Sequence, residues 1–294
     1  MGTTPVIVQE QLPFYDTTPV PKSCSPYWMA RLRDSIPLSA ISIPGTHSTL
    51  ALHGGAATQC QAWSLSQQLE AGIRFLDVRC RHYRNKLYIY HRHVSQKFDL
   101  HSVILECEEF LKEHPSETIL MRIKREHTEE KNSVSMDYIV RDYIESRGGT
   151  CAFWMSSNIP VLSQVRGKIV IIYDYEEATL GINYWALNVA DEWDVSGPLH
   201  VDRKWHQVKC HLEKATEGDY NMFITQCSAS SPHDCSYPHY VAQYINEMVY
   251  DMLSETQQCW GVVITDFPGA ELIQAIVQTN FDEDEMPEDL LTAE

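Results

Sequence analysis

Nowhere in the 294 residues do apolar side chains run for the roughly 18 positions that a membrane-spanning helix needs. The first residues, Met1-Gly2-Thr3-Thr4-Pro5-Val6, lack the charged start and apolar stretch of a signal peptide, and Val6 stands where a myristoylation signal wants Ser or Thr. Cysteine offers no framework either. There are nine, an odd number without regular spacing, and no Cys-x-x-Cys pair points to zinc. Positive charge is scarce, with 23 Lys and Arg against 40 Asp and Glu and a formal net charge of -17. That balance disfavours nucleic acid as a partner and tight adhesion to an anionic membrane, while leaving room for transient contact with a membrane surface through an apolar rim. Together these absences predict a cytoplasmic protein with reduced thiols, peripheral at membranes if it visits them, and with no obligate protein partner.

No internal repeat is present, and no linker divides the chain. At 44% hydrophobic and 21% charged residues it has the composition of an ordinary globular domain with ample core. Residues 1–24 are rich in Pro and Thr and read as an extended strap. Residues 281–294, opening Phe281-Asp282-Glu283-Asp284-Glu285, read as a solvated acidic flexible tail. Ser25-Pro26 looks like an N-cap and first helical position opening a short helix through Arg33. Strand signals then fall at 39–43, 73–79, 87–90, 117–123, 168–173, 221–225 and 260–265. Helix signals fall at 64–71, 99–113, 134–146, 237–254 and 269–279. The stretch 146–166 is irregular. The run Gly167–Ile172 is continuously apolar from Ile169 on, as buried parallel strands are, and the alternation along the chain predicts a mainly parallel α/β fold, either a barrel or a doubly wound sheet.

Several strand signals end in polar residues suited to chemistry. Ile41-Ser42-Ile43 is stopped by Pro44-Gly45, with His47 just beyond. Phe75–Arg79 ends in Asp77 and Arg79, and Leu87–Tyr90 ends at His91. In α/β enzymes the strand ends are where catalytic groups gather. Two histidines and an arginine suit phosphodiester cleavage, as a base, an acid and a cation for the phosphate.

These residues occur within an ordered set: Ile43-Pro44-Gly45-Thr46-His47, Phe75-Leu76-Asp77-Val78-Arg79, His91 ahead of Phe110-Leu111-Lys112, Pro115-Ser116-Glu117-Thr118-Ile119 and Lys124-Arg125-Glu126. Farther on come Arg166-Gly167-Lys168-Ile169-Val170, Tyr244-Ile245-Asn246 and Gly261–Asp266. Each is weak alone, but the ordered set, spanning about 25–280, resembles the X-type catalytic barrel of phosphatidylinositol-specific phospholipase C, closest to the single-domain bacterial type. The resemblance implies a single-domain, distorted TIM-type (β/α) barrel and cleavage of membrane phosphatidylinositol to diacylglycerol and a cyclic inositol phosphate.

Residue by residue, the resemblance implies His47 as general base, His91 as general acid, Arg79 on the phosphate, and Asp266 orienting His47. It implies Asp77 orienting Arg79 or an inositol hydroxyl, and Lys124 on the inositol. Strand period two would put His93 on the same face as His91; ungapped spacing from the Phe110-Leu111 helix selects His91. Asp202 with Trp205 weakly resembles an Asp-x-Tyr pair that holds the inositol ring, one residue out of register. Ser48, a further candidate for substrate contact, follows His47 where bacterial relatives carry Asp, and Asp174 replaces an inositol-contacting arginine, which argues against polyphosphorylated headgroups. The calcium-dependent branch places Asn after the first histidine and Glu-x-Asp in the Asp77 strand. Their lack here, with Arg79 alongside, predicts a metal-independent site without a cofactor. Leu50-Ala51-Leu52 and 180–185 are candidate membrane contacts. Two alternatives stand: a metal-dependent glycerophosphodiesterase on the same barrel, and a lipid-headgroup-binding pseudoenzyme.

Overall fold

The computed structural model describes residues 7–194, 200–218, 221–231 and 237–281. Its strands are β1 (Ile43–Thr46), β2 (Phe75–Tyr83), β3 (Lys86–His91), β4 (Val94–Asp99), β5 (Ile119–Arg125), β6 (Phe153–Trp154), β7 (Ile169–Asp174), β8 (Ile182–Asn183), β9 (Asn188–Ala190), β10 (Phe223–Gln226) and β11 (Val262–Thr265). The helices are α1 (Leu65–Ala71), α2 (Leu100–Glu113), α3 (Met136–Ser146), α4 (His200–Ala215), α5 (Pro238–Ser254) and α6 (Ala270–Gln278). The sheet runs β6-β7-β5-β2-β1-β11-β10-β9, parallel throughout, with β8 also parallel to β7 and a β3–β4 hairpin antiparallel on β2. Among the described residues no ladder joins β9 back to β7 or β8, so the sheet curls into a distorted TIM barrel left open on that side.

Local chemistry explains these elements. Ser64 caps α1 and exchanges bonds with Gln67 in a capping box, Asp99 and Ser135 cap α2 and α3, and Pro238 opens α5. Leu100, Val103, Ile104, Cys107 and Leu111 of α2 are all buried, as their spacing predicts. Pro44-Gly45 does not stop the first strand. Both lie inside β1, where a Cβ on Gly45 would come within 2.9 Å of Phe75 Cβ, so only glycine lets β1 and β2 approach this closely. Ser25-Pro26 opens no helix. Ser25 N–H donates to Glu70 O and Pro26 O accepts from Arg74, leaving only a 3-10 turn over Trp28–Arg31.

Two further expectations change. Phe281 is 5% exposed and carries the Arg31 guanidinium 4.0 Å above its ring, so it belongs to the core; the rest of the acidic tail lies outside the described residues. Helix α4 was not legible, because its inward face opens on Lys204 and includes His211 beside Val208, Leu212 and Ala215, which interrupts the apolar stripe.

A fully buried ion pair holds the end of the barrel away from the site. Arg74 donates to Glu117 at 3.0 Å, to the carbonyls of Leu69, Ile73 and Pro26, and lies over the Phe110 ring; both partners are 0% exposed. Removing one member leaves the other charged and buried, which typically costs about 3–5 kcal/mol. Arg74→Met is therefore expected to lose about that much in urea denaturation, while the folded fraction keeps its activity.

Candidate active site

The register of β2, β5 and β7 builds the floor of the site. Residues in register on parallel strands share a face, so Asp77 stands beside Arg122, and one layer higher Arg79, Lys124 and Asp174 form a row. The hairpin then turns β3 back along β2 and delivers His91 to the same end. Three loops complete the ring: His47 follows β1, Asp191 follows β9 and Asp266 follows β11. A cleft of about 310 Å³ opens there, lined among others by His47, Arg79, His91, Lys124, Asp191 and Asp266.

The backbone is held unusually at three of these points. Ser48, Arg92 and Phe267 have φ of 43°, 55° and 46°. Each immediately follows a cleft residue: His47, His91 and Asp266. Left-handed backbone is disfavoured for such side chains, and it concentrates where surrounding structure fixes a functional group. The turn at Arg92 also separates the two candidate histidines: β3 ends at His91, and His93 is exposed against His127 rather than in the cleft.

His47 Nδ1 lies 2.8 Å from Asp266 Oδ1. Asn246 holds the Asp266 carbonyl, and Gln61 donates to the carbonyls of His47 and Thr265, so both residues are anchored. His91 Nδ1 lies 2.6 Å from the Thr58 carbonyl. Each Nδ1 thus faces an acceptor, which fixes Nδ1–H and leaves Nε2 of each ring for chemistry. The ring centroids are 5.8 Å apart and nearly perpendicular. Burial first, then the positive field of Arg79 and the neighbouring His47, pushes His91 well below the ordinary histidine value, although the Thr58 bond works the other way.

Burial alone would raise the Asp77 carboxyl, but Arg79 and Arg122 outweigh it and hold Asp77 well below the usual carboxylate range. Asp77 Oδ2 accepts from Arg79 Nε at 2.9 Å and from the Ser48 backbone at 3.0 Å, while Oδ1 accepts from Arg122. Burial opposes the charge on Arg79, but Asp77 and Glu126 more than restore it. Burial, then Arg79 and Arg122, lowers Lys124.

Among the residues singled out in the sequence, His47, His91, Arg79, Lys124 and Asp266 line the cleft, and Asp77 lies directly beneath. Ser48 does not line it; the residue is buried, and its contribution is the backbone N–H on Asp77. Asp202 and Trp205 lie on α4, Asp202 exposed and Trp205 packed on the core behind the sheet. The cleft instead holds Asp191 and Trp193, a carboxylate and an aromatic two positions apart. That Asp-x-aromatic spacing was visible in the sequence, but β9, only three residues long, gave no strand signal to mark it.

Asp174 does not line this cleft. Its carboxylate binds buried Arg122 and Trp185 Nε1, so it does not present a free negative charge to an anionic headgroup. Leu50 and Ala51 pack inside and are no membrane contact, because Thr49 N–H and Ala51 carbonyl bonds tie this turn against β2 and Cys60. Trp185 is 62% exposed. No helix among the described residues is long and apolar enough to cross a membrane.

The family model "Phosphatidylinositol-specific phospholipase C, X domain" matches residues 34–174. A Listeria monocytogenes protein named 1-phosphatidylinositol phosphodiesterase is 32% identical over 279 residues, covering 86% of this chain and 84% of the relative. A Staphylococcus aureus protein of the same name is 25% identical over 295 residues, covering 86% and 93%. The solved phosphatidylinositol-specific phospholipase C of Listeria monocytogenes matches with a TM-score of 0.76 at 29% identity, covering 88% of this chain and 100% of that one. A Staphylococcus aureus structure concerned with modulation of the enzyme's membrane binding matches at 0.76 and 25%, covering 88% and 98%.

Proposed function

The chain belongs to the phosphatidylinositol-specific phospholipase C X-domain family, and from that membership we propose that it cleaves phosphatidylinositol by a metal-independent, two-histidine mechanism. The observation that carries this reading is the pair His47 and His91, with ring centroids 5.8 Å apart and each Nδ1 on a fixed acceptor.

The substrate's own 2-hydroxyl is the nucleophile. His47 Nε2 takes its proton as the oxygen bonds to phosphorus, and Asp266 stabilises the imidazolium that forms. Arg79, aimed by Asp77, faces the charge that grows on the phosphorus-bound oxygens. The bond from phosphorus to the glycerol oxygen breaks, and His91 Nε2 supplies the proton that oxygen needs. Diacylglycerol and a cyclic inositol phosphate leave. Water then opens the cycle with the two histidines in exchanged roles. Lys124 and Asp191 offer a donor and an acceptor to the ring hydroxyls, and Trp193 a face to stack on.

A calcium ion of the kind used elsewhere in the family does not fit the donors present. Both Asp77 oxygens are taken by guanidinium and backbone donors, and Arg79 occupies the place of a cation. Substrate lies in a bilayer, so the protein works as a peripheral enzyme through transient surface contact.

Phosphorus NMR of phosphatidylinositol in mixed micelles with a divalent-metal chelator tests the reading. A cyclic phosphate resonance is expected with chelator present. Turnover only on adding calcium or magnesium would point to the metal-dependent alternative, and binding without turnover to the pseudoenzyme.

A pH prediction follows from His91. As an acid it must carry its second proton, and in the free enzyme burial and Arg79 oppose that. Bound phosphate brings a negative charge that favours the proton. The alkaline limb of kcat/KM, which reports free enzyme, should therefore fall at lower pH than that of kcat, which reports the complex. Coincident limbs would contradict this role for His91.

A further inference from the structure

Beneath the two histidines lies a thiol that the acid–base chemistry does not use. Cys60 is fully buried, with Sγ 3.7 Å from His91 Nδ1. Its sulfur also lies within 4.8 Å of a ring nitrogen of His47 and a carboxylate oxygen of Asp266, and those two are themselves as close or closer. Burial first, then the Asp266 charge, holds the Cys60 thiol well above its ordinary value. It is therefore a protonated, unreactive thiol unless something draws the proton off.

We propose that His47, Cys60 and Asp266 form an inhibitory site for Zn²⁺ or Cd²⁺, with water from the cleft as the fourth ligand. The proposal rests on the reading of this cleft as the active site. One imidazole nitrogen, one thiolate and one carboxylate oxygen make a mixed donor set that suits these soft or borderline tetrahedral ions. Calcium and magnesium would find only a single oxygen donor among the three. Zinc bonds of about 2.0–2.3 Å set neighbouring ligand atoms roughly 3.3–3.7 Å apart in a tetrahedron. The His47–Asp266 contact of 2.8 Å would open slightly, and the sulfur would close in.

Binding releases one proton to solvent, from Cys60 Sγ, and shifts the His47 proton from Nδ1 to Nε2, changing no oxidation state. With the cation on Nδ1 and the proton on Nε2, the ring has no lone pair left to take the 2-hydroxyl proton, and Asp266 no longer supports an imidazolium. The base is lost while the cleft stays open.

The test uses the full chain, stripped with chelator and titrated with CdCl₂ and, separately, ZnCl₂. Two signals are read: the ultraviolet charge-transfer absorption of a cadmium thiolate, and turnover of phosphatidylinositol. The expected result is an absorption step that saturates together with loss of turnover. Cys60→Ser should lose that step, keep turnover in chelator, and need at least about tenfold more metal for inhibition, as loss of a ligand implies. Cys210→Ser controls for the surface thiol near His206, and Cys227→Ser for a buried thiol elsewhere; both should behave as wild type.

If Cys60→Ser does not fold, His47→Ala supplies a second reading, because it too removes a ligand and should weaken the cadmium step. Unaltered inhibition of Cys60→Ser, a step that survives in it, or a step lost only with Cys210→Ser would each overturn the proposal. If wild-type protein showed no turnover at all, the absorption step would still report the site, and only the functional reading would fail.

Discussion

His91→Ala should lower kcat on phosphatidylinositol by about 10²–10⁴-fold, the usual worth of general acid or base catalysis, yet lose far less on an inositol phosphodiester with a nitrophenolate leaving group. The alkoxide of diacylglycerol is a strong base and cannot depart unprotonated, whereas a nitrophenolate can. His47→Ala should lose about 10²–10⁴-fold on both substrates, because each still requires the 2-hydroxyl proton to be removed. The geometry supports the division: His47 has a carboxylate behind it that stabilises the charged ring, and His91 has the neutral Thr58 carbonyl and Cys60 thiol, amid the positive field of Arg79 and Arg92. A base profits from the first environment, and a proton donor from the second, since a depressed pKa makes the proton easier to give. Equal losses for both variants on the activated substrate would remove the assignment. A reversed pattern would exchange the two roles.

The second large effect is expected at Arg79. Arg79→Ala should reduce kcat by about 10²–10³-fold, comparable with loss of a donor to a developing oxyanion, with a small change in KM. The reason is selectivity for the transition state: the ground-state diester carries one negative charge, and more accumulates on the same oxygens as the fifth bond forms. Arg79→Lys should recover little, because a lysine cannot hold Asp77 through one nitrogen and reach phosphate with another in a fixed plane. Steady-state kinetics of both variants checks this. A rise in KM with unchanged kcat would make Arg79 a binding residue only. Arg122, 0% exposed and bonded to Asp77 and Asp174, touches no substrate position; it positions. Its loss is read as instability before it is read as slow turnover.

Much of this was legible along the chain. The seven signalled strands and helices α1, α2, α3, α5 and α6 fall close to their expected places because burial imposes period two or 3.6 on the side chains, with α2 the plainest case, whereas β4, β6, β8 and β9 carried no signal. Helix α4 escaped because Lys204, donating to the carbonyls of Glu192 and Gln226, is a buried charge that reads as surface in a one-dimensional pattern. The same lysine fastens the segment carrying Asp191 and Trp193. The misplaced inositol pair and the missed helix fall in the same stretch: Asp202 and Trp205, which resemble that pair one residue out of register, both lie on α4.

By itself the amino-acid sequence determined the family and, through it, the barrel, and it singled out His47, His91, Arg79 and Asp266 as the candidates proposed above, because ordered motifs at strand ends survive without coordinates. Only the tertiary structure decided which groups meet. It joined Asp266 to His47 across 219 positions. It set the Thr58 carbonyl behind His91, spent the Asp174 charge on Arg122, and placed the Cys60 thiol within reach of both His91 and His47. The physical reason is that composition and periodicity record what each residue prefers, whereas hydrogen bonds and electrostatic fields depend on distances between residues far apart in the chain. Sheet register and the strained turns after His47, His91 and Asp266 set those distances.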